Sequence, residues 1–124
     1  MPYNILIVED SASMRAFIAS TLGALDDFKI FEVATGFEAL RLLPRYKFNL
    51  ILVDINMPDI NGLELLSFIK NNEEYKNIPV IIISTEGSEK DQKKGLSLGA
   101  DEYLVKPFDP KSLQKLARMY LKIK

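Results

Sequence analysis

Three unbroken apolar runs constrain this chain more than any other feature: Ile5-Leu6-Ile7-Val8, Leu50-Ile51-Leu52-Val53 and Val80-Ile81-Ile82-Ile83. A half-exposed strand alternates apolar and polar residues. A continuous run rich in β-branched side chains reads instead as a strand buried on both faces of a parallel sheet. Two shorter runs join them, so strands are expected over Tyr3–Val8, Lys29–Val33, Leu50–Asp54, Pro79–Ser84 and Glu102–Val105.

The intervening segments have helical spacing. Met14, Phe17, Ile18, Leu22 and Leu25 form one apolar stripe, Leu63, Leu66 and Ile69 a second, and Leu113, Leu116, Ala117 and Tyr120 a third. Thr35 with Glu38, Asn61 with Glu64, and Ser88 with Asp91 have the spacing of N-terminal capping pairs. Asp109-Pro110 reads as an N-cap followed by the first helical residue, and Gly99 as a helix stop. The pattern is (βα)5 over residues 1–124, one domain without linker or repeat. Right-handed crossovers then favour an open sheet covered on both faces. The fourth helix is thinly provided: between Ser88 and Leu98 only Gly95, Leu96 and Leu98 suit an inward position. It is read either as an ordinary edge helix or as a loosely held element that shifts when a nearby site changes.

Composition narrows the chemistry. The 124 residues carry 16 basic and 17 acidic side chains, a balance unlike the basic excess of a nucleic-acid platform. No apolar run approaches the ~20 residues of a membrane span, and no basic-then-apolar leader opens the chain, so a soluble cytoplasmic protein is expected. His and Cys are both absent, which excludes thiol catalysis, imidazole acid–base work and an ordinary zinc site. Chemistry falls to carboxylates, hydroxyls and Lys.

Those groups collect where strands end. The first strand runs into Glu9-Asp10, the third ends in Asp54, the fourth in Ser84-Thr85-Glu86, and the fifth runs into Lys106-Pro107. Open parallel sheets bind ligands outside the carboxyl ends of their strands, so these residues should share one pocket. Grouped carboxylates repel one another and imply a counter-cation. Oxygen ligands alone favour a hard ion, Mg²⁺ with Mn²⁺ as its substitute, and Mg²⁺ in such sites usually partners a phosphoryl group. Asp54 is the best nucleophile candidate, ahead of a loop opened by Pro58.

Glu9-Asp10, the run Asp54-Ile55-Asn56-Met57-Pro58-Asp59-Ile60-Asn61-Gly62, Ser84 and Lys106-Pro107-Phe108 resemble the receiver domains of two-component response regulators, most closely the single-domain chemotaxis type. The resemblance spans essentially the whole chain. It implies a doubly wound, flavodoxin-like sheet of order 2-1-3-4-5. It also implies that Asp54 accepts a phosphoryl group from a kinase phosphohistidine. Asp10, Asp54 and the Asn56 backbone carbonyl would bind Mg²⁺ directly, with Glu9 acting mainly through water. Lys106 would pair with a phosphoryl oxygen, presented to the site by a cis bond between it and Pro107, and Ser84 would be the switch hydroxyl. Tyr103 would turn inward as Ser84 moves, and Thr85 would narrow the route of a phosphodonor. Asn56 and Glu86 match positions that tune dephosphorylation.

The resemblance further implies a monomer that is a switch rather than an enzyme, phosphorylated by a sensor histidine kinase or phosphotransfer protein. Its target would dock on the fourth helix, fifth strand and fifth helix, where Val105 and Phe108 add apolar contacts, with no role for nucleic acid or membrane. Lys111, Lys115, Arg118, Lys122 and Lys124 either belong to that surface or form a solvated face. Three other readings compete. An aspartate-nucleophile phosphatase needs an acid two residues past the nucleophile, where Asn56 stands. A flavin carrier needs a phosphate cradle where Glu9-Asp10-Ser11-Ala12-Ser13 puts negative charge. The third is a receiver domain cut from a longer regulator.

Overall fold

The structure is a computed structural model that describes residues 3–24, 28–57 and 59–122. Strands β1 (Tyr3–Val8), β2 (Phe28–Val33), β3 (Leu50–Asp54), β4 (Val80–Ser84) and β5 (Glu102–Val105) alternate with helices α1 (Ala12–Gly23), α2 (Gly36–Leu42), α3 (Gly62–Lys70), α4 (Glu89–Ser97) and α5 (Pro110–Leu121). All strand pairs are parallel and the order is β2-β1-β3-β4-β5, as the family resemblance implied. Because side chains alternate along a strand, each unbroken run feeds two cores. Ile5, Ile7, Leu50, Leu52, Ile81 and Ile83 meet Ile18 and Leu22 of α1 and Leu113, Ala117 and Leu121 of α5. Leu6, Val8, Ile51, Val53, Val80 and Ile82 meet Ala39 of α2 and Leu65, Leu66 and Ile69 of α3.

The expected caps are in place. Thr35, Asn61, Ser88 and Asp109 each accept a backbone N–H of the first turn that follows. Ser11, which no capping pair marked, does the same for α1 through the Met14 amide. Gly99 takes a left-handed φ of 109°, ending α4. Pro79 lies just before β4, its carbonyl accepting the Ile51 amide.

Two apolar assignments need correction. Leu96 points outward, 46% exposed, because the close approach of α4 to the sheet is made by Gly95, the one buried residue of that helix. Phe17 is 39% exposed and stacks obliquely on Phe108, centroids 5.6 Å apart, at the margin of its core. Leu25, Pro58 and Lys124 lie outside the described residues. Lys111, Lys115, Arg118 and Lys122 are exposed. No helix among the described residues is long and apolar enough to cross a membrane.

Candidate functional site

The parallel register brings the strand ends level. Val8 lies beside Val53, Asp54 beside Ile83, and Ser84 beside Val105, so the residues at and just past these positions share one edge of the sheet. Glu9, Asp54 and Ser84 are three of the four buried polar residues among the described residues, at 1%, 6% and 0% exposure. Asp10 is exposed beside them. Oxygens of Glu9, Asp10 and Asp54 lie within 4.8 Å of one another. This donor set, three carboxylates without nitrogen or sulfur, fits a hard divalent cation.

Lys106 provides the positive charge. Its Nζ donates to Glu9 Oε1 at 2.6 Å and stands 3.7 Å from Asp54 Oδ1, and the bond from Lys106 to Pro107 is cis. The ammonium therefore sits closer to Glu9 than to the candidate nucleophile. The two carboxyls respond in opposite directions. Burial works to raise Glu9, but the Lys106 ammonium and the Ser11 N–H outweigh it and hold the group below its ordinary value. Burial also raises Asp54, and here the adjacent Glu9 reinforces it, so the carboxyl rises from 3.8 to about 7. Asn56 N–H donates to Asp54 Oδ1 at 3.4 Å, a weaker hold.

On the other side of Asp54, Ser84 Oγ accepts the Glu86 amide at 2.9 Å, and the Glu86 carbonyl accepts the Tyr103 hydroxyl at 2.5 Å. Burial pushes the Tyr103 phenol up, with the Asp91 and Glu86 charges adding to it. The ring packs where Gly95 lacks a side chain: a Cβ there would stand 3.1 Å from Tyr103 Cδ2 and 2.7 Å from Ile82 Cδ1. Thr85 is exposed, next to the buried Ser84.

Two residues of the motif acquire structural work that reading the sequence did not assign. Gly62 lies so close to the end of β3 that a Cβ would come within 2.7 Å of Ile55 Cα, and its amide donates to the Ile55 carbonyl at 2.8 Å. Asp59 reaches across to α2, accepting the Gly36 amide at 3.2 Å and the Phe37 amide at 3.0 Å. Partial desolvation works upward on Asp59, and the N–H groups of Phe37, Ile60 and Gly36 outweigh it. The glycine ending the motif was a signal for Gly62; nothing local pointed to the partner of Asp59.

Comparison with known proteins agrees with this geometry. The family model described as "response regulator receiver domain" matches residues 5–118. A chemotaxis protein CheY homolog of Campylobacter jejuni is 36% identical, the match covering 90% of this chain and 87% of that protein. Chemotaxis response regulator CheY4 of Vibrio cholerae superposes with a TM-score of 0.89 at 32% identity, covering 97% of this chain and 99% of that one. The Mn(2+)-bound form of response regulator Rcp1 does so with a TM-score of 0.87 at 29% identity, over 98% and 96% of the two chains. The chain spans about half the length of other relatives that it matches.

Proposed function

Because the chain belongs to the response regulator receiver domains, we propose that residues 1–124 act as one phosphorylation-controlled switch in two-component signalling, with Asp54 as its phosphoacceptor. The observation that carries this is a nearly buried carboxylate at a strand end, flanked by two further carboxylates and one ammonium. Glu9, Asp10 and Asp54 would hold Mg²⁺ (or Mn²⁺, as named for the Rcp1 neighbour), joined by the Asn56 carbonyl. The bound ion would supply charge neutralisation at phosphoryl oxygens.

The residues divide the remaining work. An Asp54 oxygen attacks phosphorus, an O–P bond forms, and the N–P bond of the donor phosphohistidine breaks, its electrons staying with the imidazole. Attack requires the ionised carboxylate; a pKa of about 7 keeps roughly half of Asp54 protonated at neutral pH, and a cation at the site would favour the ionised form. Lys106 moves from Glu9 toward the new phosphoryl oxygens. Ser84 would donate its hydroxyl to the phosphoryl group, and the Glu86–Tyr103 contact beside it would carry the shift toward α4 and β5. Thr85 narrows the donor's route. Asn56 and Glu86, both exposed at the site, govern access of the water that ends the signal.

The chain's chemistry is then limited to its own phosphorylation and dephosphorylation. Upstream stands a sensor histidine kinase or phosphotransfer protein; downstream, a target protein meets α4, β5 and α5 of a cytoplasmic monomer. The test is incubation with acetyl phosphate and Mg²⁺. One hydroxylamine-labile phosphoryl group should appear by intact mass, and none in Asp54→Asn. The same addition in that variant overturns the assignment.

A further inference from the structure

The loop between β3 and α3 is closed at its base and held at its flank. At the base, the Gly62 amide bonds to the Ile55 carbonyl, and the missing side chain of Gly62 lets the start of α3 rest on the backbone of Asp54 and Ile55. At the flank, both carboxylate oxygens of Asp59 are taken by α2, one by Gly36 N–H and one by Phe37 N–H. Gly36 in turn leaves room for the loop, since a Cβ there would lie 2.8 Å from Ile60 Cβ. Asn56, near the start of the same loop, donates its amide to Asp54 Oδ1. Asp59 stands three residues past Asn56 in the same loop, so that Asn56 touches the reacting carboxylate and Asp59 is fastened to a neighbouring helix.

We propose that Asp59 is a positioning residue of the metal and phosphoryl site: by clamping the first turn of α2, it fixes the loop that carries Asn56 against Asp54. The cost of ordering this loop is met on folding, by the clamp, instead of on ligand binding. Without it the Asn56 backbone samples positions off the site, and Mg²⁺ must order the loop itself. α2 needs Asp59 less than the loop does, because Thr35 Oγ1 already accepts the Glu38 amide at 3.1 Å and Glu38 returns to the Thr35 hydroxyl at 3.2 Å. The helix has its own cap, whereas Asp59 supplies the loop's side-chain hydrogen bonds to α2, beside the packing of Ile60 on Gly36.

This inference rests on the reading of Glu9, Asp10 and Asp54 as Mg²⁺ ligands, and two measurements separate the two claims. Mg²⁺ alone is titrated into the parent, Asp59→Ala, Asp59→Asn and Thr35→Ala, followed by amide NMR shifts at Asp54 and Asn56. Asp59→Ala should weaken Mg²⁺ about tenfold, the scale on which partners that orient a metal site act. Asp59→Asn keeps one acceptor oxygen and should recover part of the loss. Thr35→Ala frays the same helix without touching the loop and should keep the parent's midpoint. If Asp59→Ala binds Mg²⁺ as the parent does, or Thr35→Ala weakens it equally, the proposal fails. The second measurement needs no metal: in chelator, the Asn56 amide should exchange faster in Asp59→Ala than in the parent. Should the parent not bind Mg²⁺ at all, the ligand reading falls, and unchanged Asn56 exchange then removes the clamp as well.

Discussion

Lys106 lies 2.6 Å from Glu9 and 3.7 Å from Asp54, so the ammonium is bonded to the neighbour of the proposed phosphoacceptor rather than to the phosphoacceptor itself. The consequence is an uneven pair. Glu9 holds its negative charge, and Asp54, desolvated beside that charge, holds a proton up to about pH 7. A cation joining the three carboxylates would favour ionisation of Asp54.

The stability of the protein in chelator should fall as pH rises through neutrality. A carboxyl whose folded pKa is raised binds its proton more tightly when folded. Its contribution is complete below the unfolded value and is lost as pH climbs from about 4 through 7. Asp54→Asn removes that dependence, and should exceed the parent by on the order of 2 kcal/mol at pH 8 and by much less at pH 5. Urea denaturation at both pH values checks it. A constant difference between the two would place the raised pKa elsewhere.

Glu9→Gln should lower the Asp54 pKa. The substitution removes the negative neighbour and frees Lys106 to turn to Asp54, while burial persists. The value should therefore move down from about 7 without reaching the ordinary 3.8. Carbon-13 detection of the Asp54 carboxyl across pH reads this directly, and an unchanged midpoint would mean that burial alone sets it.

Mg²⁺ at ten times its dissociation constant should stabilise the parent by roughly 1.4 kcal/mol through mass action. For a domain of this size that is a rise of a few degrees in melting temperature. Asp10→Ala should abolish most of the response, because Asp10 supplies one of the three clustered oxygens. Glu89→Ala, on the exposed ion pair of α4 with Lys93, should keep it. Equal loss in both variants would disconnect the cluster from the ion.

Gly95→Ala should destabilise the fold although alanine is the better helix former. The new methyl gains about 1 kcal/mol in propensity. It also meets Ile82 Cδ1 at 2.7 Å and the Tyr103 ring at 3.1 Å, and overpacking of that kind costs about 1–3 kcal/mol. A net loss of about 1 kcal/mol is expected by denaturation, with faster amide exchange along α4. A gain in stability would show that α4 yields freely and that Tyr103 is not held by it.

The Ser84–Glu86–Tyr103 chain makes a separate forecast. Ser84→Ala should still take up phosphate at Asp54, yet show a smaller change in amide exchange over residues 86–105 when beryllofluoride is added. Responses of equal size would take the Ser84 hydroxyl out of the switch.

Much of this protein could be read before any coordinates, because the relevant signals are local. An unbroken apolar run such as Val80–Ile83 states that both faces of its strand are covered, whatever covers them. Thr35, Asn61, Ser88 and Asp109 announce helix starts through side chains that reach only two or three residues ahead. Acidic and basic residues placed just past successive parallel strands must meet, since parallel strands share one carboxyl edge. What waited for the tertiary structure was every choice between partners. Nothing within the chain's order says that Lys106 prefers Glu9, ninety-seven positions away, to Asp54. Nor does the spacing of Gly95, Leu96 and Leu98 say which faces the sheet; the depth of α4, set by Tyr103 and Ile82, admits only the glycine. Asp59 finds Gly36 and Phe37 because Gly62 seats α3 directly on the end of β3, turning the loop toward α2. Periodicity and capping act through a few bonds along the backbone, whereas these pairings depend on distances of an ångström or less between elements, which exist only once both cores have packed.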